Sequence, residues 1–135
     1  MFAFAGPLKD RVAIHELVAA YGDAISRLNV EEFGTLWAED AVWVHPQVGT
    51  REGRGAIMQM CADAMKNYSQ LVFTGALAAL EIRGDHAAGR NYTSELVTDL
   101  KGATVRVTGR YDDEYVRRGG RWLFKRREFN LLHTG

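Results

Sequence analysis

From Leu8 to Leu28 the apolar residues Ile14, Leu17, Val18, Tyr21, Ile25 and Leu28 recur at steps of three and four, the stripe of an amphipathic helix. Asn29 followed by Glu32 has the form of an N-cap with its capping-box partner. It predicts a second helix over 30–38 that carries Phe33, Leu36 and Trp37. Val42, Trp43 and Val44 read as a short strand that stops on His45, just before Pro46. The glycine-rich "QVGTREGRG" reads as a loop, and residues 55–67 as a third helix with Ile57, Met60, Cys61, Ala64 and Met65 on its inner face. Past residue 70 the pattern becomes strand-like. "LVFTGALAALEI", "HAAGRNYTSELVTDL", "ATVRVTGRYDDEYVRR" and "RWLFKRREFNLL" follow one another, separated by turn signals at Gly84-Asp85, "KG" and "GG". Long antiparallel strands joined by tight turns and preceded by helices make an α+β fold. The three helices are expected in the concave face of a strongly curved antiparallel sheet, leaving a cone-shaped cavity of the kind that holds a small apolar ligand. No linker or repeat interrupts the chain, so residues 1–135 are read as one domain.

Composition narrows the function. The 17 basic and 17 acidic residues cancel, which argues against nucleic acid, whose binders cluster Lys and Arg on phosphates. The basic run "RRGGRWLFKRR" is offset by the nearby "DDE" and reads as a solvated sheet face. Cys61 is alone, which leaves no intrachain disulfide and no Cys-based zinc site, and suits a reducing cytoplasm. The apolar start "MFAFAGPLKD" is too short for a signal peptide and has no basic residue before Lys9. No later run approaches the ~20 residues of a membrane span. A soluble, cytoplasmic protein that meets neither membrane nor nucleic acid is expected.

Candidate chemistry begins at His45. Alternation puts Trp43 and His45 on one strand face, so an inward Trp43 brings the imidazole into the cavity. The alternative is a strand-end histidine hydrogen-bonded to the next loop. Tyr21 lies on the apolar stripe of the first helix, as a core tyrosine or as one whose hydroxyl faces the cavity. In "YDDEY", Tyr111, Asp113 and Tyr115 share a face that reads as pocket lining, although three successive acids also suit a solvated edge. In "GRNYTSEL" one face carries Asn91, Thr93 and Glu95 and the other Arg90, Tyr92 and Ser94. The pattern alone leaves the inward face open, and counting from the Gly84-Asp85 turn with Ala87 inside favours the Asn91 face. Arg127 and Phe129 share a side of the last strand, and Trp37 and Met60 complete the expected substrate contacts. His15, His86 and His133 show no metal-ligand spacing with His45.

Three stretches carry a family resemblance: "LVAAYGDAISRLNVEEFGTLWAEDAVWVHP", "GRGAI" at the third helix, and "GRYDDEYVRRGGRW". Their order over nearly the whole chain resembles the NTF2-like superfamily, and within it the SnoaL-like group of polyketide cyclases, dehydratases and isomerases. The segment from Tyr21 to Pro46 is similar, without a gap, to the matching segment of ketosteroid isomerase. That resemblance implies Tyr21 as a donor to a developing oxyanion, His45 in place of the acidic general base, and Asp113 as a second donor that is a protonated acid. The histidine replaces a carboxylate, so steroid isomerisation itself is not implied. Ser26 and Val72 stand where scytalone dehydratase has its aspartate and first catalytic histidine, which disfavours that constellation.

The expectation is a cofactor-free, metal-free enzyme that moves a proton on a small, largely apolar carbonyl or hydroxyl compound. His45 is the base, Tyr21 the oxyanion donor, and Asp113 either orients His45 or donates. A homodimer through the outer sheet face is expected, with Trp122 and Leu123 serving one face each. The alternatives are a non-catalytic module that holds a hydrophobic ligand or docks like a dioxygenase small subunit, and a purely structural dimerisation domain.

Overall fold

In the computed structural model, which describes residues 3–135, the first apolar stripe forms helix α1 (Leu8–Ser26). Met1 and Phe2, the beginning of the apolar start, lie outside the described residues. Ile14, Leu17, Val18, Tyr21 and Ile25 are buried as the periodicity predicts. Leu28 falls past the helix end, in a left-handed turn with φ 55°. Asn29 caps helix α2 (Val30–Thr35), its side chain accepting from the Glu32 N–H at 3.0 Å. Only half of the capping box forms, because the Glu32 carboxylate pairs with Arg27 instead.

Helix α2 stops three residues earlier than its periodicity suggests. Trp37 opens strand β2 (Trp37–His45), since the Phe124 N–H bonds the Leu36 carbonyl at 2.9 Å and Trp37 pairs with Phe124. Sheet pairing overrides the helical pattern here. Part of the glycine-rich stretch also proves to be a strand, β3 (Gly49–Glu52), which pairs antiparallel with β2 from Val42–Glu52 to His45–Gly49. His45 therefore ends one arm of a hairpin whose turn is Pro46, Gln47 and Val48. Helix α3 (Arg54–Met65) buries Ile57, Cys61 and Met65.

Strands β4 (Tyr68–Arg83), β5 (His86–Asp99), β6 (Thr104–Arg118) and β7 (Arg121–Thr134) form the long antiparallel meander. A two-residue strand, β1 (Phe4–Ala5), adds to β4 in parallel. The sheet order is β1-β4-β5-β6-β7-β2-β3. The β2–β7 pairing is parallel, so the sheet is antiparallel-rich rather than wholly antiparallel. Register shifts at Leu77/Ala79 and Glu114/Tyr115 mark bulges of the kind that increase twist, and the sheet curls around the helices without closing. Helix α1 docks along β4 very closely: a Cβ at Gly22 would stand 2.8 Å from the Phe73 carbonyl oxygen. One turn on, Ser26 Oγ accepts from the Phe73 N–H at 2.9 Å. Trp122 and Leu123, successive residues of β7, are both buried within the chain, and Trp122 Nε1 donates to Asp10 at 3.1 Å.

Candidate active site

Helices and inner sheet face enclose a partly open, mainly apolar cavity of about 220 Å3. This is smaller than the roughly 300–1,000 Å3 of drug-sized pockets, so the space suits a small molecule. Of the expected residues, Tyr21, Trp43, His45, Met60, Tyr111 and Phe129 line it.

His45 reaches the cavity and is also hydrogen-bonded to its own turn. Its ring lies between two aromatic faces, 5.3 Å from Trp43 and 5.0 Å from Phe129, nearly parallel to the latter at 6°. Its Nδ1 accepts the backbone N–H of Gln47 at 3.1 Å and of Val48 at 3.4 Å. A nitrogen that accepts a hydrogen bond carries no proton, so neutral His45 holds its ring proton on Nε2. Burial lowers its pKa below the ordinary 6.5 and favours that neutral form. The imidazole thus presents a donor, not an acceptor.

Tyr111 accepts from Trp43 Nε1 at 3.1 Å, which leaves its hydroxyl proton to donate. Tyr21 packs edge-on to Tyr111 with ring centroids 6.2 Å apart. Burial pushes both phenols above the ordinary tyrosine range, so both remain protonated donors near neutral pH. The Arg127 guanidinium lies behind them, 4.3 Å from the Tyr21 ring centre and 3.9 Å from that of Tyr111. A cation there opposes the effect of burial and strengthens both hydroxyls as donors.

Five expected site residues do not line the cavity, and their polar groups or bulk are used elsewhere. Asp113 accepts Arg127 Nε at 2.7 Å and Nη2 at 3.0 Å, the Tyr115 hydroxyl at 3.0 Å, and the Asn91 amide. It acts as an acceptor from three neighbours, so it is neither a proton donor to substrate nor the orienter of His45. Asn91, Tyr115 and Arg127 belong to this buried network at the cone's floor, all 1 % exposed or less. Trp37 is fully buried against Tyr21, Phe33 and Phe124 and fills core. Ser26 is occupied by the β4 backbone and Val72 is exposed, so neither offers a dehydratase-like dyad.

Glu95 also lines the cavity, on the strand face that the turn count favours as inward, although it is not among the expected site residues. It stands on the inward face of β5 between Phe73 and Val107, and burial raises its pKa to about 7. Beside it, burial first and the Glu95 charge second push the Cys61 thiol up to about 12, which makes Cys61 an inert wall residue. For Glu95, alternation with Asn91 and Thr93 was the available signal; its lack of a partner among the described residues depends on the fold. Among the described residues, no three His, Cys, Asp or Glu side chains gather as metal ligands would, and no helix is long and apolar enough to cross a membrane.

Among solved structures, a type 2 hexachlorocyclohexane dehydrochlorinase superposes with a TM-score of 0.87 at 21% identity, covering 95% of this chain and 88% of that one. A proposed scytalone dehydratase from Novosphingobium aromaticivorans gives 0.88 at 21% identity, covering 95% and 87%. A proposed aromatic ring hydroxylase from the same species gives 0.89 at 26% identity, covering 96% and 93%. These likenesses establish an NTF2-like fold. No curated protein matches the chain in sequence. The model of the SnoaL-like domain matches residues 6–128, nearly the full length, and the chain belongs to the SnoaL-like domain family.

Proposed function

We propose that the protein is a small enzyme that moves a proton on a small, largely apolar carbonyl or hydroxyl compound held in the cone cavity. The observation that carries this reading is the meeting of three polar side chains, His45, Tyr21 and Tyr111, on one mainly apolar cavity. Isomerisation, dehydration and aldol-type cyclisation share a first step, in which a carbon gives up a proton and charge gathers on the neighbouring oxygen. Donors aimed at such an oxygen contribute roughly 3 kcal/mol each to the transition state. Trp43, Met60 and Phe129 supply the apolar walls. Dehydrochlorination and dehydration, the reactions in the names of two fold relatives, are eliminations that also begin by loosening a C–H bond. No cofactor or metal is part of this reading.

The setting we propose is a cytoplasmic homodimer. Its outer sheet face carries exposed Val72, Tyr92 and Leu96, with Val72 and Leu96 opposite each other on β4 and β5. Light scattering of wild type against Leu96→Glu tests the dimer, which is rejected if the two have the same mass.

The reaction is tested by incubating small enolisable ketones with the protein in D2O and following loss of the C–H signal beside the carbonyl. Wild type should accelerate exchange, His45→Ala should slow it about 100-fold, and the thermal midpoint should barely move. Exchange at the wild-type rate in both His45→Ala and Tyr21→Phe would leave a ligand-binding module in place of an enzyme.

A further inference from the structure

We infer that Glu95 is the general base of this cavity, taking the carbon-bound proton while His45 Nε2–H and the Tyr111 hydroxyl hold the substrate oxygen. The inference rests on the proton-transfer reading above and reverses the role that the sequence assigns to His45. Its geometry has three parts. The lone pair that would make His45 a base is occupied at Nδ1 by Gln47 and Val48, and a backbone turn cannot turn away without opening the β2–β3 hairpin. Glu95 is a cavity-lining carboxylate with no ion pair or hydrogen bond among the described residues, whereas buried Asp113 has Arg127, Asn91 and Tyr115. Finally, its strand neighbours Phe73 and Val107 are apolar and line the same cavity, so the carboxylate faces the ligand space without a competing cation.

The titratable groups that share the cavity are Tyr21 of α1, His45 of β2, Cys61 of α3, Tyr68 of β4 and Tyr111 of β6. None is a cation at neutral pH in this environment. Arg106, next to Val107 in sequence, bonds Ser94 Oγ at 3.1 Å. An unpartnered carboxylate in such surroundings is a stronger base than one in water, and burial brings Glu95 to about 7, where a general base works best near neutrality.

The step balances within the site. The C–H electron pair becomes the new C=C bond, the carbonyl oxygen takes the negative charge, and Glu95 keeps the proton. Glu95 then returns it to another carbon, which gives an isomer, or to a departing hydroxyl, which leaves as water. The arrangement also selects substrate charge. With Glu95 as the ionised group and Arg127 sealed behind the tyrosines, the site accepts neutral enolisable carbonyl compounds and rejects carboxylates.

The test uses 4-nitrophenol as an enolate mimic whose visible absorption reports the bound phenolate, together with carbon-13 titration of the Glu side chains. If Glu95 is the base, the phenolate binds the enzyme only with Glu95 protonated. Affinity should then fall about tenfold per pH unit above 7, and this fall should vanish in Glu95→Gln. One Glu carboxyl, absent in Glu95→Gln, should titrate near 7. Deuterium exchange should drop at least 100-fold in Glu95→Gln and partly recover in Glu95→Asp. A Glu95 midpoint at the ordinary value of about 4.3, or the same affinity slope in Glu95→Gln, overturns the base assignment while leaving the cavity reading intact. No phenolate binding to wild type at any pH would overturn both.

Discussion

Asp113→Ala leaves the Arg127 guanidinium, 1% exposed, without its carboxylate partner. Two hydrogen bonds, at 2.7 and 3.0 Å, disappear from the cation, and Asn91 and Tyr115 each lose an acceptor. Breaking a buried pair from one side costs about 3–5 kcal/mol, mostly from the charge left behind. Applied to a domain of this size, that is a fall in Tm of about 10–20 °C. Urea titration followed by tryptophan fluorescence measures it directly, because Trp37 and Trp43 sit close to the network. Replacing both partners, as Asp113→Leu with Arg127→Met, removes the cation as well and should recover most of the loss. A loss below about 1 kcal/mol in the single variant, or a double variant no better than the single, would show that the floor of the cone is not an electrostatic unit. The same single variant should leave the Glu95 titration near 7, which separates a structural Asp113 from one that acts on the site.

Gly22→Ala should lose about 1–2 kcal/mol by urea titration despite the usual helix preference for alanine, because the new methyl meets the Phe73 carbonyl oxygen at 2.8 Å and a paired strand cannot retreat. Ser26→Ala alone should cost about 1–2 kcal/mol, since it leaves the half-buried Phe73 N–H without its 2.9 Å acceptor. Nitrogen-15 shifts of the imidazole at pH 8 should show the proton on Nε2 of His45, and a proton on Nδ1 would refute the donor role. The pH dependence has a definite sign. Glu95 has a folded pKa raised to about 7, so the folded state holds a proton that the unfolded state releases near 4.3, and its contribution to stability is present in acid and lost as pH rises towards 7. His45 works oppositely, since its lowered folded value makes the unfolded chain take up protons first below 6.5. Denaturation of wild type and Glu95→Gln at pH 5 and pH 8 should therefore show wild type losing about 2–3 kcal/mol relative to the variant at the higher pH.

The long strands were legible because alternation and glycine turns are local signals that nothing in the tertiary structure opposed. The same alternation put Trp43, His45, Tyr111, Glu95 and Phe129 on inward faces, which assembled most of the cavity wall. Trp37 was misread because a tryptophan one turn past Phe33 fits a helical stripe equally well, and only pairing with distant Phe124 pulls it into a strand. Strand β3 was invisible since "GTRE" offers no apolar alternation and its partner supplies the order. Asp113 and Arg127 looked like pocket residues because inward polar side chains are the usual sign of a site. Their direct opposition across β6 and β7 lets them neutralise each other instead. The roles proposed for His45 and Glu95 depend on what each touches after folding, namely a turn that bends back onto one ring nitrogen and, among the described residues, no partner for one carboxylate. Neither is written in residue type.

The tautomer of the cavity-lining imidazole is set by peptide N–H groups, and this gives the three residues after it an unexpected authority. Exchanging Pro46, Gln47 or Val48 for other side chains keeps those amides in place, so the ring should hold its proton on the cavity side through most point mutations of the turn. Adding or deleting one residue there would withdraw both amides at once and free Nδ1 to carry the proton, converting a hydrogen-bond giver into a proton abstractor with the histidine itself untouched. Length variation in this one hairpin is then a route by which a single cone could change the direction of its proton traffic.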